Sequence, residues 1–142
     1  MRYIPYLSFN GNCREAFEFY AKIFDGEIKD MISHGETPTG EHVSPDWRDK
    51  IINAYLVADG AELMGADTPP EMGPATPSGF CISIQEDDEA RAERIFNGLT
   101  EGGTIVMPLE PSFWARKFGM VTDRYGQPWM INCGLIEQEK AA

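Results

Sequence analysis

FWARKFGMVTDRYGQPWMINC, residues Phe113–Cys133, reads as two long strands joined by a tight turn at Asp123-Arg124-Tyr125-Gly126. Apolar and aromatic residues lie on both sides of that turn, and an Asp followed by a Gly at this spacing is turn chemistry. Asp123 is expected to close the turn through its own backbone, as Asx turns do. Strand alternation puts Trp114 and Arg116 on one face and Trp129 on the other, toward the core. Trp114 could stack on a ligand and Arg116 pair with an anion. The plainer alternatives are a Trp in the core or a dimer interface, and an Arg at the surface.

Working outward, the preceding segment supplies a strand over Phe80–Gln85, a helix capped by Asp87-Asp88 and a short strand over Thr104–Met107. Ala92, Ile95, Phe96 and Leu99 form the apolar stripe of that helix, which Gly102-Gly103 ends. The first half shows the same order. Arg2–Phe9 has strand composition, with Pro5 marking an edge or bulge. Asn12 followed by Glu15 resembles a capping box, and Cys13, Ala16, Phe17, Tyr20, Ile23 and Phe24 recur at helical spacing up to Gly26. Glu27–Ser33 alternates as a half-exposed strand, and Lys50–Ala58 and Ala61–Ala66 flank the hairpin signal Asp59-Gly60. Between them, residues 34–49 lack periodicity and read as a long loop, with Trp47 a candidate anchor. Strand, helix, strand, strand, strand therefore occurs twice, the helices offset by about 75 residues. The expected organisation is one domain, 1–142, with modules 1–66 and 79–136. The Pro-rich linker 67–78 should hold neither helix nor strand, and the polar tail 137–142 should fray.

A chain of 142 residues with 42% hydrophobic and 11% aromatic content can bury a core. The net charge of -11 argues against nucleic acid and against anionic membranes. Cys13, Cys81 and Cys133 are widely spaced without a CxxC pair, as in reduced cytosolic proteins. A nucleophilic cysteine would want a nearby histidine, and the two histidines both fall in the long loop. No signal peptide and no apolar run of about 20 residues is visible. A soluble, cytoplasmic protein is expected.

A βαβββ module covers one sheet face with its helix and leaves the other open. Two such modules facing each other would line a cleft. The residues now carry a resemblance: Tyr6-Leu7-Ser8-Phe9-Asn10-Gly11-Asn12 leads into Glu15-Ala16 and Phe19-Tyr20. Phe113-Trp114 is followed by Gly119 to Gly126 and by Pro128-Trp129-Met130-Ile131-Asn132. Over nearly its whole length the chain resembles the vicinal oxygen chelate superfamily (glyoxalase, bleomycin resistance protein, extradiol dioxygenase), and within it the PhnB-like branch. The resemblance implies an α+β fold: two βαβββ modules forming a curved mixed sheet around a cleft. It also implies a homodimer, with modules exchanged across the linker as one form of it.

Metal-dependent members use four ligands, and the resemblance sets Pro5, Glu62, Phe80 and Met130 in those positions. Pro and Phe have no donor atom and Met is a soft one, so a single carboxylate remains and no metal or other cofactor is implied. His34, Glu36 and His42, with Glu41 or Asp46, are an alternative cluster, set against a solvated loop with two ordinary histidines. If the ligand positions face the cleft, so do Leu7, Met64, Ile82 and Asn132. Glu62 is then the general-base candidate, its burial among Met and Phe raising its pKa. The competing reading is an inert rim carboxylate. Leu7, Met64, Phe80, Trp114, Arg116, Met130 and Asn132 are the ligand-binding candidates. The expected function is binding of a small, largely apolar molecule, with catalysis unassigned. A metal-dependent lyase or dioxygenase and a drug-sequestering resistance protein are the alternatives. A ubiquinone-pathway methyltransferase label also attaches to this family. It lacks support in the sequence, which has no glycine-rich loop of the kind nucleotide-type cofactors need.

Overall fold

The helical stripe of Cys13, Ala16, Phe17 and Tyr20 predicts one face turned inward. In the computed structural model, which describes residues 1–136, all four are completely buried. The expectation for the polar tail 137–142 falls outside the described residues. The chain divides into two compact units, Met1–Thr76 and a second from Pro77 onward.

In the first unit, α1 (Cys13–Phe24) covers a sheet of β1 (Tyr6–Phe9), β2 (Glu27–Ser33), β3 (Ile51–Ala58) and β4 (Ala61–Asp67). The strand order is β1-β4-β3-β2, with β1 parallel to β4 and the other neighbours antiparallel. Leu7, Phe9, Ala54, Leu56 and Leu63 are buried with the helix stripe. Gly65 lies where α1 presses closest: a Cβ there would stand 2.8 Å from Phe17 Cε1. Asp59 and Gly60 take φ of 50° and 78°, which a two-residue primed hairpin turn requires.

Several local expectations give way to long-range contacts. Asn12 makes no side-chain cap on α1. Instead Asp67 Oδ1, from the end of β4, accepts the amides of Gly11 and Cys13 at 2.9 and 3.0 Å, and Oδ2 accepts that of Ile51 at 2.8 Å. One buried carboxylate thus serves the helix dipole and two connections at once. The helix ends on Asp25 in the left-handed conformation (φ 52°) rather than on Gly26. Residues 34–49 are organised as three short 3-10 turns, His34–Glu36, Pro38–Glu41 and Pro45–Trp47. Arg48 and Lys50 carbonyls accept the amides of Gly35 and His34, which stitches the ends of the loop together. The linker also keeps structure: β4 runs on to Asp67 and Pro70–Met72 forms a 3-10 turn. The Asn10 side chain pairs with the Ala75 backbone in both directions, at 3.0 and 2.7 Å.

The second unit repeats the plan. α2 (Glu89–Thr100) covers β5 (Ile82–Gln85), β6 (Thr104–Glu110), β7 (Ala115–Thr122) and β8 (Pro128–Leu135), ordered β5-β8-β7-β6 with β5 parallel to β8. Asp88 caps α2 as expected, accepting from the Ala90 and Arg91 amides. β5 starts at Ile82, so Phe80 stands ahead of the strand, and β6 runs to Glu110 with two register irregularities. Gly119 meets Phe96 as Gly65 meets Phe17, a Cβ there falling 2.8 Å from Phe96 Cε2. Asp123 closes the β7–β8 turn by accepting the amides of Tyr125 and Gln127. Its other oxygen takes the indole N–H of Trp129 at 2.8 Å, which holds Trp129 in the core. The architecture is the α+β arrangement expected: two four-stranded mixed sheets, each open and each with one helix among the described residues.

Candidate functional site

Each sheet has one helix-covered face and one open face, and register decides which residues each face receives. In the first unit, Tyr6 pairs with Met64, and Met64 and Glu62 pair with Tyr55 and Val57. Met64 and Glu62 therefore stand on the open face, as expected. Leu7 does not: it pairs with Gly65 and is buried against α1. Tyr6 takes the open-face place that Leu7 was given, because a shift of one residue reverses a strand's faces.

Glu62 is not an unengaged base. Tyr55 donates its hydroxyl to Oε1 in a short hydrogen bond, and Arg2 Nε lies 3.0 Å from Oε2. Donating this hydrogen bond to a carboxylate holds Tyr55 above the usual tyrosine range. Each carboxylate oxygen thus has one donor, which fixes the orientation of the side chain.

In the second unit, Met130 pairs with Ser83 and Met120, and Asn132 pairs with Gln85 and Phe118, so all six share the open face. Ile82 lies opposite, pairing with the core residue Trp129. Phe80, before the strand, is half exposed. Trp114 precedes β7 and is set by Ser112, whose hydroxyl accepts from the amides of Trp114 and Ala115. Its ring packs edge-on against Phe118 and Phe113, each at 4.8 Å. Trp114 Nε1 donates to Asn132 Oδ1 at 3.0 Å, and Asn132 Nδ2 donates to Ser83 Oγ at 3.1 Å. Gln85 Nε2 donates to the same Ser83 oxygen at 2.7 Å. A line of polar groups therefore crosses β8 and β5 between Phe118, Met120 and Met130. Arg116 shares the parity of Trp114, but its guanidinium donates to the Asp87 carbonyl at 2.6 Å.

Ser83, Gln85, Phe118, Met120, Tyr6 and Tyr55 were missed. For β5 the signal was present: in Ile82-Ser83-Ile84-Gln85 the apolar residues alternate with polar ones, and the polar pair faces out.

The donors needed by a divalent cation do not fit. Pro5, Phe80 and Met130 offer no hard ligand, and Glu62 is taken by Tyr55 and Arg2. Among the described residues no three His, Cys, Asp or Glu side chains are grouped as a metal site requires. In the loop, His34 is buried with Nδ1 3.3 Å from Thr39 Oγ1, while Glu36 accepts from the Ser33 amide and hydroxyl. Those two hydrogen bonds hold Glu36 below the usual carboxylate range.

Two open mixed sheets, each built from a βαβββ unit, define the glyoxalase-like fold class. The fosfomycin resistance protein FosX of Listeria monocytogenes shares it at TM-score 0.63 and 12% identity, covering 94% of this chain and 93% of its own. Protein PA1353 of Pseudomonas aeruginosa is similar in sequence as well, 46% identical with TM-score 0.86, over 94% of this chain and 98% of its own. The PhnB protein of Bacillus cereus, which carries the 3-demethylubiquinone-9 3-methyltransferase name, is 26% identical with TM-score 0.77, over 94% and 100%. Residues 1–132 match the family described as 3-demethylubiquinone-9 3-methyltransferase, and the chain belongs to that family, the PhnB-like branch of the glyoxalase fold.

Proposed function

We propose that this protein binds a small, largely apolar molecule on the sheet faces that its helices leave uncovered, without the standard divalent metal site. The observation that carries this reading is the Trp114–Asn132–Ser83 hydrogen-bonded line set among Phe118, Met120 and Met130. It is the usual make-up of a ligand site: apolar walls with a few fixed polar groups. Within this reading Met64 and Tyr6 are the corresponding contacts of the first unit, and Phe80 and Arg116 stand at the margin. Glu62, oriented by Tyr55 and Arg2, is the general-base candidate of this reading. A cytoplasmic location fits three free cysteines.

Native mass spectrometry of protein purified without additives, and thermal shift with a panel of small apolar molecules, test the reading. A co-purified or stabilising apolar ligand is expected, with stability unaltered by EDTA. Loss of stability on chelation, restored by Mn²⁺, Ni²⁺ or Fe²⁺, would instead support the metal-dependent lyase or dioxygenase.

The methyltransferase named in the family description is the second reading. Against it, the N-termini of α1 and α2, where a cofactor-cradling loop would present free amides, are capped by the Asp67 and Asp88 carboxylates. Transfer of label from S-adenosylmethionine to a demethylated quinol would revive it.

A further inference from the structure

Resting on the binding reading above, we propose that the open face of the second unit selects a neutral, flat aromatic molecule carrying a hydrogen-bond acceptor such as a ketone oxygen. Ser83 is the group that reads that oxygen.

The argument runs along the hydrogen-bonded line. An indole N–H can only donate, so Trp114 fixes the Asn132 amide with its oxygen toward the ring. The Asn132 NH2 is thereby turned to Ser83 Oγ. Gln85 Nε2 donates to the same oxygen at 2.7 Å. A serine hydroxyl has two lone pairs and one proton. With both lone pairs taken by N–H donors, the remaining capacity of Ser83 is to donate, and the residue is exposed on the open face. The site thus presents a directed O–H donor. An amine or other pure donor would find no acceptor at Ser83, and a hydrocarbon would leave its hydroxyl unpaired when water is excluded.

The surroundings set the rest of the ligand. Trp114 lies edge-on over the buried Phe118, and the half-buried Met120 and Met130 stand on neighbouring strands, so that an indole and polarizable sulfur are offered to a flat ring. In β5, β7 and β8 the single charged side chain at open-face parity is Arg116, engaged by the Asp87 carbonyl. Glu110 lies on β6 opposite Phe118, two strands or about 10 Å from Asn132. A charged ligand centred on Ser83 would therefore have no direct counter-ion, and a neutral one loses nothing.

The test compares acetylnaphthalene with ethylnaphthalene, which differ in the ketone oxygen, by calorimetry or amide chemical-shift titration. Wild-type protein should bind the ketone about 3- to 10-fold tighter, the worth of one hydrogen bond. Ser83→Ala should erase that preference. Trp114→Phe keeps the ring but frees the Asn132 amide to turn, and should reduce the preference partway. Equal binding of both probes by wild type would overturn the acceptor selection and leave apolar binding standing, whereas binding of neither would sink both. A ketone preference that survives Ser83→Ala would overturn the role of Ser83. A change from dimer to monomer in Ser83→Ala, by light scattering, would show the face covered by a second copy instead, and also overturn it.

Discussion

Asp67 shows how much one side chain can decide. Its carboxylate is almost fully buried and accepts three backbone amides from two segments, Gly11 and Cys13 at the start of α1 and Ile51 at the start of β3. Asp67→Ala should lower stability by about 3 kcal/mol, because three buried donors lose their partner and one of them is the first amide of α1. Urea unfolding is expected to show an earlier midpoint at unchanged slope. The thiols give a second expectation at this scale. Cys13 and Cys133 are fully buried and Cys81 only partly. Burial first, and the nearby Asp67 charge second, push the Cys13 thiol well above its usual range. A disulfide exchange reagent should therefore titrate Cys81 rapidly in native protein and all three thiols after denaturation. Fast reaction of Cys13 would show that α1 opens readily.

At the scale of elements, legibility followed alternation. β2 and the Asp59-Gly60 hairpin carry their own patterns and lie where the sequence places them. In the edge strands β1 and β5 the family positions and the local sequence point to opposite faces, and the structure follows the local sequence. In β1, Leu7 and Phe9 are the apolar pair, and in β5 Ile82 and Ile84 are. Caps failed for another reason. Asn12 has the right chemistry, but a carboxylate 55 positions away in sequence does the capping, and no local pattern announces such a partner. The β7–α2 contact yields a pH expectation. Lys117 reaches Glu89 at 2.9 Å and Glu93 more closely, and these bonds push its pKa up to about 12. Glu89 is correspondingly held below its usual range. A raised Lys pKa contributes stability that is present below the unfolded value of 10.5 and lost as pH rises toward about 12. A lowered Glu pKa contributes stability present above 4.5 and lost on acidification below it. Lys117→Met should therefore flatten both limbs of the stability profile relative to wild type and leave the slope near neutrality unchanged, as read by urea unfolding across pH.

For the whole molecule, the twice-used βαβββ order was visible in the sequence, and with it the fold class. The candidate site was legible only in part: strand parity gives the faces of Met130, Asn132 and Met64, and the Ile-Ser-Ile-Gln alternation gives those of Ser83 and Gln85, whereas the contacts among them follow only from the pairing of β5 with β8. The homodimer implied by the family resemblance stands as a proposal, and light scattering is expected to give twice the 15.9 kDa chain mass. A monomer at all concentrations would remove module exchange from consideration. The Asp67 clamp bears finally on synthesis. A helix of about 12 residues is marginal in water on its own, and α1 has no side-chain cap of its own. Emerging from the ribosome, α1 must wait for the last residue of β4 before its N-terminus is closed. The first unit is thus committed to form late and all at once, by a carboxylate that leaves the exit tunnel after all three amides it holds.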